Sequence, residues 1–233
     1  SLEGNIDLKV RLVDCVGYMV EGAAGQFEDG SERMVTTPWF DHEISMTEAA
    51  EKGTRKVITE HSTIGIVITT DGSICDIPRE KYIEPERRVI QELKSIGKPF
   101  IVLLNSAEPD SHVATETAQW IENEYEVKCI CTNCIELEEK QITEIISSVL
   151  EQFPLKSIGI LLPEWLFALP DDNELKKQMY SNILSATENA EKISDCDDVV
   201  AFISACENIS AAKTENKDLG IGAVCMSVQI PRS

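Results

Sequence analysis

Positive charge is scarce in this sequence: 21 Lys and Arg stand against 41 Asp and Glu, a formal net charge of −20 over 233 residues. Phosphate backbones and anionic lipid surfaces are held by cations, so direct binding of nucleic acid or of a membrane surface is not expected of this chain. No apolar run approaches the roughly 20 residues that a membrane span needs, and no charged-then-apolar signal opens the sequence. The expected compartment is therefore the reducing cytosol. Also absent is any Gly-x-x-x-x-Gly-Lys-Ser/Thr loop. Without it a nucleotide loses both the backbone amides and the Lys that grip its β- and γ-phosphates.

What is present reads as α/β. Hydrophobic residues make up 42%, enough for a substantial core. IDLKVRLVD (6–14) alternates and then turns apolar, predicting a strand, whereas 15–40 has no period and four glycines, three of them in EGAAGQFEDGS, predicting a long loop. Such loops are uncommon in compact domains and usually functional. Ser45-Met-Thr-Glu48 is a capping box that starts a helix to about residue 60. IGIVITT (64–70), PFIVLLN (99–105) and VKCICT (127–132) predict buried strands. Between and after them, helices are predicted from Pro85 to Ile96, over 112–124 and over 138–152. Near-continuous apolar strands alternating with amphipathic helices predict a three-layer, mainly parallel sheet with helices on both faces.

The pattern changes near residue 155. Residues 1–155 form one expected domain, and 156–233 a connector and a small helical/β appendage that opens a further domain. There 158–170 is an apolar connector with one strand and a turn, a helix capped by Asp171 or Asp172 runs to about Ile193, a short helix covers 197–206, 207–218 is a polar stretch, and 221–230 is a closing strand.

Eight cysteines raise the question of metal or disulfides. Cys15, Cys129, Cys131, Cys206 and Cys225 sit in apolar or strand-like runs, as small buried hydrophobes do. Cys129 and Cys131 share one strand face, and no fourth ligand lies near Cys134, so packing is expected over ligation. All eight are expected to be free thiols. His42, His61 and His112 accompany no recognisable nucleophile motif, and Trp39, Trp120 and Trp165 are expected to anchor the core or a subdomain contact.

Two constellations carry chemistry. Arg11-Leu-Val-Asp14-Cys-Val-Gly17 ends an apolar run in Asp, which delivers a carboxylate to the carboxyl edge of a parallel sheet, where ligands bind. In nucleotide hydrolases such an Asp holds Mg²⁺, usually through water, and a Gly in the spacing Asp-x-x-Gly lets a backbone amide approach the γ-phosphate. A plain strand-to-loop cap is the competing reading of Asp14. The second is Leu104-Asn105-Ser106-Ala107-Glu108. GTPases carry Asn-Lys-x-Asp at such a strand end. Here Ser106 replaces the Lys and Glu108 the Asp, which argues against guanine and leaves a capped turn before Pro109 as the alternative.

RLVDCVGY (11–18), TPW (37–39), EAAEKGTRKVITEHSTIGIVITTDG (48–72), YIEPERRVIQELKSIGKPFIVLLNS (82–106) and LPEW (162–165) together resemble the stage IV sporulation protein A family of spore-coat morphogenetic ATPases. The likeness runs closely over roughly 5–170 and thins beyond. It implies a P-loop NTPase-like fold similar to the translation-factor class of GTPases, present here without its phosphate loop. It further implies ATP hydrolysis, with ATP and Mg²⁺ as cofactors, driving self-assembly into the basal layer of the spore coat in the mother cell cytoplasm, at the forespore surface. Asp14 would take the metal (Walker B) role, Gly17 the switch-loop role, and Asn105 and Ser106 would border the base pocket.

The implied partners are further copies of the protein, a small amphipathic membrane-anchoring spore peptide and other coat proteins. By the same resemblance the phosphate loop and sensor threonines precede 6–14, so Thr36 and Thr37 are not those threonines. The membrane-anchoring and late polymerisation regions follow 233. This stretch alone is thus expected to be inactive. The strand feeding the phosphate loop would lie between 6–14 and 64–70. Those two could close on each other, accept a strand from another molecule or be completed by a further segment, and the last is expected. A non-enzymatic scaffold of coat assembly and a regulatory GTPase fragment are the competing functions.

Overall fold

The computed structural model describes residues 10–231, which divide into two compact units at Val149/Leu150. In the first unit the glycine-rich loop is tied by short pairings, β1 (Phe27–Glu28) with β2 (Ser31–Glu32) and β3 (Met34–Val35) with β4 (Ile44–Ser45), both antiparallel. The predicted capping box is in place. Ser45 Oγ accepts the Glu48 amide at 3.2 Å and starts α1 (Met46–Lys56), which widens into a π-turn over Val57–His61. Then come β5 (Gly65–Thr70), α2 (Ile83–Ser95), β6 (Phe100–Asn105), α3 (His112–Tyr125), β7 (Cys129–Thr132) and α4 (Glu139–Leu150).

β5, β6 and β7 form a parallel sheet in that order. The period of two along β6 assigns its faces. Phe100, Val102 and Leu104 pack with Ile90 and Leu93 of α2 and Ala118, Ile121 and Tyr125 of α3, while Ile101 and Leu103 meet Ile145 and Val149 of α4. Helices therefore cover both faces, and β6 is buried from Phe100 to Leu104 because it is the middle strand. α2 stops at Gly97, whose φ of +65° lets the Gly97 and Lys98 amides turn back onto the carbonyls of Lys94 and Leu93.

One predicted strand is not observed. Residues 6–9 lie outside the described residues, and 10–14 run without a ladder partner, with Leu12 85% and Val13 44% exposed. β5 pairs with β6 on one side and with no described strand on the other. Residues 13–18 and Val20 instead line, together with β5, a groove of about 440 Å³. Alternation alone cannot make a strand, because its amides and carbonyls need a neighbour at about 4.8 Å.

The second unit is built on β8 (Ser157–Leu161), α5 (Glu164–Phe167), α6 (Glu174–Thr187), α7 (Cys196–Ala205), β9 (Ala211–Asp218) and β10 (Ala223–Gln229). β10 lies between β8, to which it is parallel, and β9, to which it is antiparallel. Val224, Met226 and Val228 pack on Leu166, Met179, Val199 and Ile203. Two expectations are corrected. The polar stretch 207–218 contains β9, which has little strand propensity and is held by its ladder to β10. The long helix is capped by Asn173 and not by Asp171 or Asp172, its Oδ1 accepting the Lys176 amide at 3.2 Å, and ends at Thr187.

The thiols also depart from expectation. Of the five cysteines read as buried Cys129 alone is, the other four being half-buried, whereas Cys196 is fully buried on α7. All eight are unpaired. Burial, with the neighbouring Cys131, pushes the Cys129 thiol up to about 12, so it stays a poorly reactive thiol. An aromatic disulfide reagent near pH 8 is expected to label Cys75, the exposed one, first in the native protein and all eight after unfolding. Fewer than eight under denaturing, non-reducing conditions would reveal a bridge or a bound metal.

Candidate functional site: the carboxyl edge of the parallel sheet

In a parallel sheet every strand delivers its last residue to the same edge. Here that edge gathers Thr70–Ser73 after β5, Asn105–Glu108 after β6 and Thr132–Cys134 after β7. Asn105 Oδ1 accepts the Cys134 amide at 2.9 Å, fastening the loop after β7 to the end of β6. Ser106 is fully buried. Its amide donates to the Thr132 carbonyl at 3.0 Å, and its Oγ accepts the Glu108 amide at 3.1 Å. Both residues shape the loops rather than leave a free side chain at the surface.

Beside them lies a residue that the sequence reading passed over. Asp71 Oδ1 accepts from the Ser73 amide at 2.9 Å and from Ser73 Oγ at 2.5 Å, and Ser73 Oγ in turn accepts the Ala107 amide at 2.9 Å. Partial burial pushes the Asp71 carboxyl up, but hydrogen bonds from Ser73 and Ser106 outweigh it and hold its pKa below the usual carboxylate value. The group is therefore ionised at neutral pH, and the link between the two loops weakens only as pH falls through that lowered pKa. The signal was in the sequence: Ile-Thr-Thr-Asp71-Gly72 ends an apolar run in Asp, as the run before Asp14 does, although here the Gly follows at once.

The return from this edge is fixed by Arg79. Its guanidinium donates to Glu86 at 2.7 and 2.8 Å and to Thr69 Oγ1 at 3.1 Å, and lies 5.9 Å from the Trp120 ring. The Glu86 side chain is 1% exposed. Trp120 is thus a platform for a cation, 40% exposed, and Trp39 is 43% exposed, so neither is buried in the core, the first of the two roles expected of them.

Asp14 and Gly17 lie elsewhere, on the groove along the free edge of β5, together with Tyr18, Ile66, Ile68 and Thr69. Asp14 is exposed and takes part in no hydrogen bond or ion pair among the described residues. Gly17 has φ +82° and open space where a Cβ would sit. The structure therefore brings Asp14 to Gly17 and Asn105 to Ser106, but places the two pairs at different parts of the sheet. No group of three or more His, Cys, Asp or Glu side chains is gathered as a metal site among the described residues. A lone carboxylate with free oxygens is the donor set that suits Mg²⁺, which keeps several waters and takes one or two carboxylates plus phosphate oxygens.

A parallel sheet covered by helices on both faces, with its strand-end loops gathered at the carboxyl edge, is the architecture of a P-loop NTPase-like domain. Residues 1–154 match the family model "Stage IV sporulation protein A, ATPase domain", and residues 155–233 match "Stage IV sporulation protein A, middle domain". The chain belongs to the stage IV sporulation protein A family. It is 41% identical over 98% of its length to Stage IV sporulation protein A of Clostridioides difficile, and 39% identical over 97% to that of Bacillus subtilis. The Bacillus anthracis protein is 37% identical over 99%. The chain spans a little under half the length of these relatives, 47%, 46% and 47%. No solved structure matches.

Proposed function

We propose that this chain is the later part of the nucleotide-hydrolysing domain, and the start of the middle domain, of an ATPase whose turnover drives its own assembly into the basal layer of the spore coat. The observation that carries the proposal is the Asp14-x-x-Gly17 turn, free of internal bonds, beside the groove on the open edge of β5. Asp14 would hold Mg²⁺ through a water, and the Gly17 amide would face the terminal phosphate. The metal, when bound, neutralises charge that develops on the transferring phosphoryl group. Asn105, through its grip on Cys134, would set the wall of the base pocket, and Ser106 would hold the loops behind it.

The sequence carries no Gly-x-x-x-x-Gly-Lys-Ser/Thr motif to grip the phosphates, so this stretch by itself should bind ATP negligibly and hydrolyse none. We further infer that it works in the mother cell cytoplasm at the forespore surface, with copies of itself, a small amphipathic membrane-anchoring peptide and other coat proteins, largely through regions outside these residues. Phosphate release from ATP and from GTP, measured on the complete protein and on residues 1–233, tests this. Turnover of ATP by the complete protein and of neither nucleotide by this chain is expected. A preference for GTP would favour the regulatory GTPase, and no turnover by the complete protein would favour the scaffold.

A further inference from the structure

From Val10 to Gly17 the described chain makes no hydrogen bond and no ion pair. The first residue to fasten it is Tyr18. The Tyr18 hydroxyl donates to Glu92 on α2, and the Tyr18 ring lies 4.4 Å from the Arg88 guanidinium one helical turn earlier. Arg88 is itself held by two hydrogen bonds, at 2.5 and 2.8 Å, to Glu51 of α1. Glu92 also pairs with Arg55 of α1 at 3.3 Å. Four side chains from two helices thus gather at one phenol, which belongs to none of the buried apolar clusters. Filling the core is not what this arrangement does. Immediately before it, Gly17 supplies a pivot with a positive φ and no neighbour in the way.

We propose that Tyr18 is a positioning residue, a latch that fixes the Asp14–Gly17 turn to α2 and so keeps the Asp14 carboxylate beside the groove on the β5 edge. The proposal rests on the reading of Asp14 as the metal-holding carboxylate. Three residues separate the carboxylate from the latch, and nothing else among the described residues ties the stretch between them. A hydrogen bond from a neutral donor to a carboxylate is charge-assisted, and its loss shifts an equilibrium by about tenfold or more.

The test uses the complete protein with a non-hydrolysable ATP analogue and Mn²⁺ as the metal probe, its binding followed by electron paramagnetic resonance. Tyr18→Phe, which keeps the ring under Arg88 and removes the hydroxyl, is expected to weaken Mn²⁺ binding by about tenfold. The same variant should change affinity for the analogue less than twofold and leave the thermal midpoint in place. Glu92→Gln should follow it in part, because an amide still accepts. Asp14→Asn is the companion measurement. If Asp14→Asn weakens Mn²⁺ binding while Tyr18→Phe does not, the latch is wrong and the metal reading stands. If Asp14→Asn leaves Mn²⁺ binding unchanged, the metal reading fails and the latch with it. Parallel loss of metal, analogue and thermal midpoint in Tyr18→Phe would show a merely structural contact and overturn the proposal.

Discussion

Replacing Asp14 by Asn in the complete protein is expected to cost about 10²–10³-fold in Mg²⁺-dependent ATP turnover, the scale of losing a single charge-stabilising group at a reacting centre. The structure makes this substitution informative. Asp14 is exposed and bonded to nothing among the described residues, so Asn removes charge without breaking a contact. The thermal midpoint should stay where it was. A carboxylate that merely caps the turn would behave in the opposite way, with turnover preserved. Unchanged hydrolysis in Asp14→Asn would sink the metal assignment, whatever the fate of the fold.

The largest expected loss of stability falls on Arg79→Ala. Glu86 is almost wholly removed from water and is held from two sides by the Arg79 guanidinium. Taking the cation away leaves a buried carboxylate that must remain charged without a partner or take up a proton. Truncating one member of such a pair destabilises by about 3–5 kcal/mol. It also frees Thr69 Oγ1 at the end of β5 and the approach to α2. The double variant Arg79→Met, Glu86→Leu removes both charges at once and should recover most of that loss, since the desolvation cost disappears with the pair. Urea unfolding of this chain, followed by circular dichroism, checks both. A loss below about 1 kcal/mol in Arg79→Ala would place the pair with ordinary surface salt bridges.

Much of the first unit was legible in the residues because local rules decided it. The capping box at Ser45, the stop at Gly97 and the apolar runs of β5, β6 and β7 each follow from chemistry within a few positions. Helices on both faces of the sheet followed from strands apolar on both sides, whereas Asp14, read as the end of a strand at the sheet's carboxyl edge, stands on an unpaired segment beside the free edge of β5. Missed were Asp71, whose strand-end signature went unread, and the Arg79–Glu86 and Tyr18–Glu92–Arg88 contacts, which join residues of different elements and leave no spacing signature.

Residues 10–14 show why a strand pattern is not a strand. The alternation there is real, yet with no described neighbour its apolar side chains stand exposed. β9 shows the reverse, since AAKTENKD has the composition of a loop and is ordered by seven paired positions along β10. Sequence by itself determined which segments could bury an apolar face and where the helices of the first unit begin and end. Only the tertiary structure decided which strands have partners, which thiols are buried and what holds Tyr18 and Arg79. Pairing, burial and ion contacts are properties of two or more segments at once, and their free energy is fixed when those segments meet.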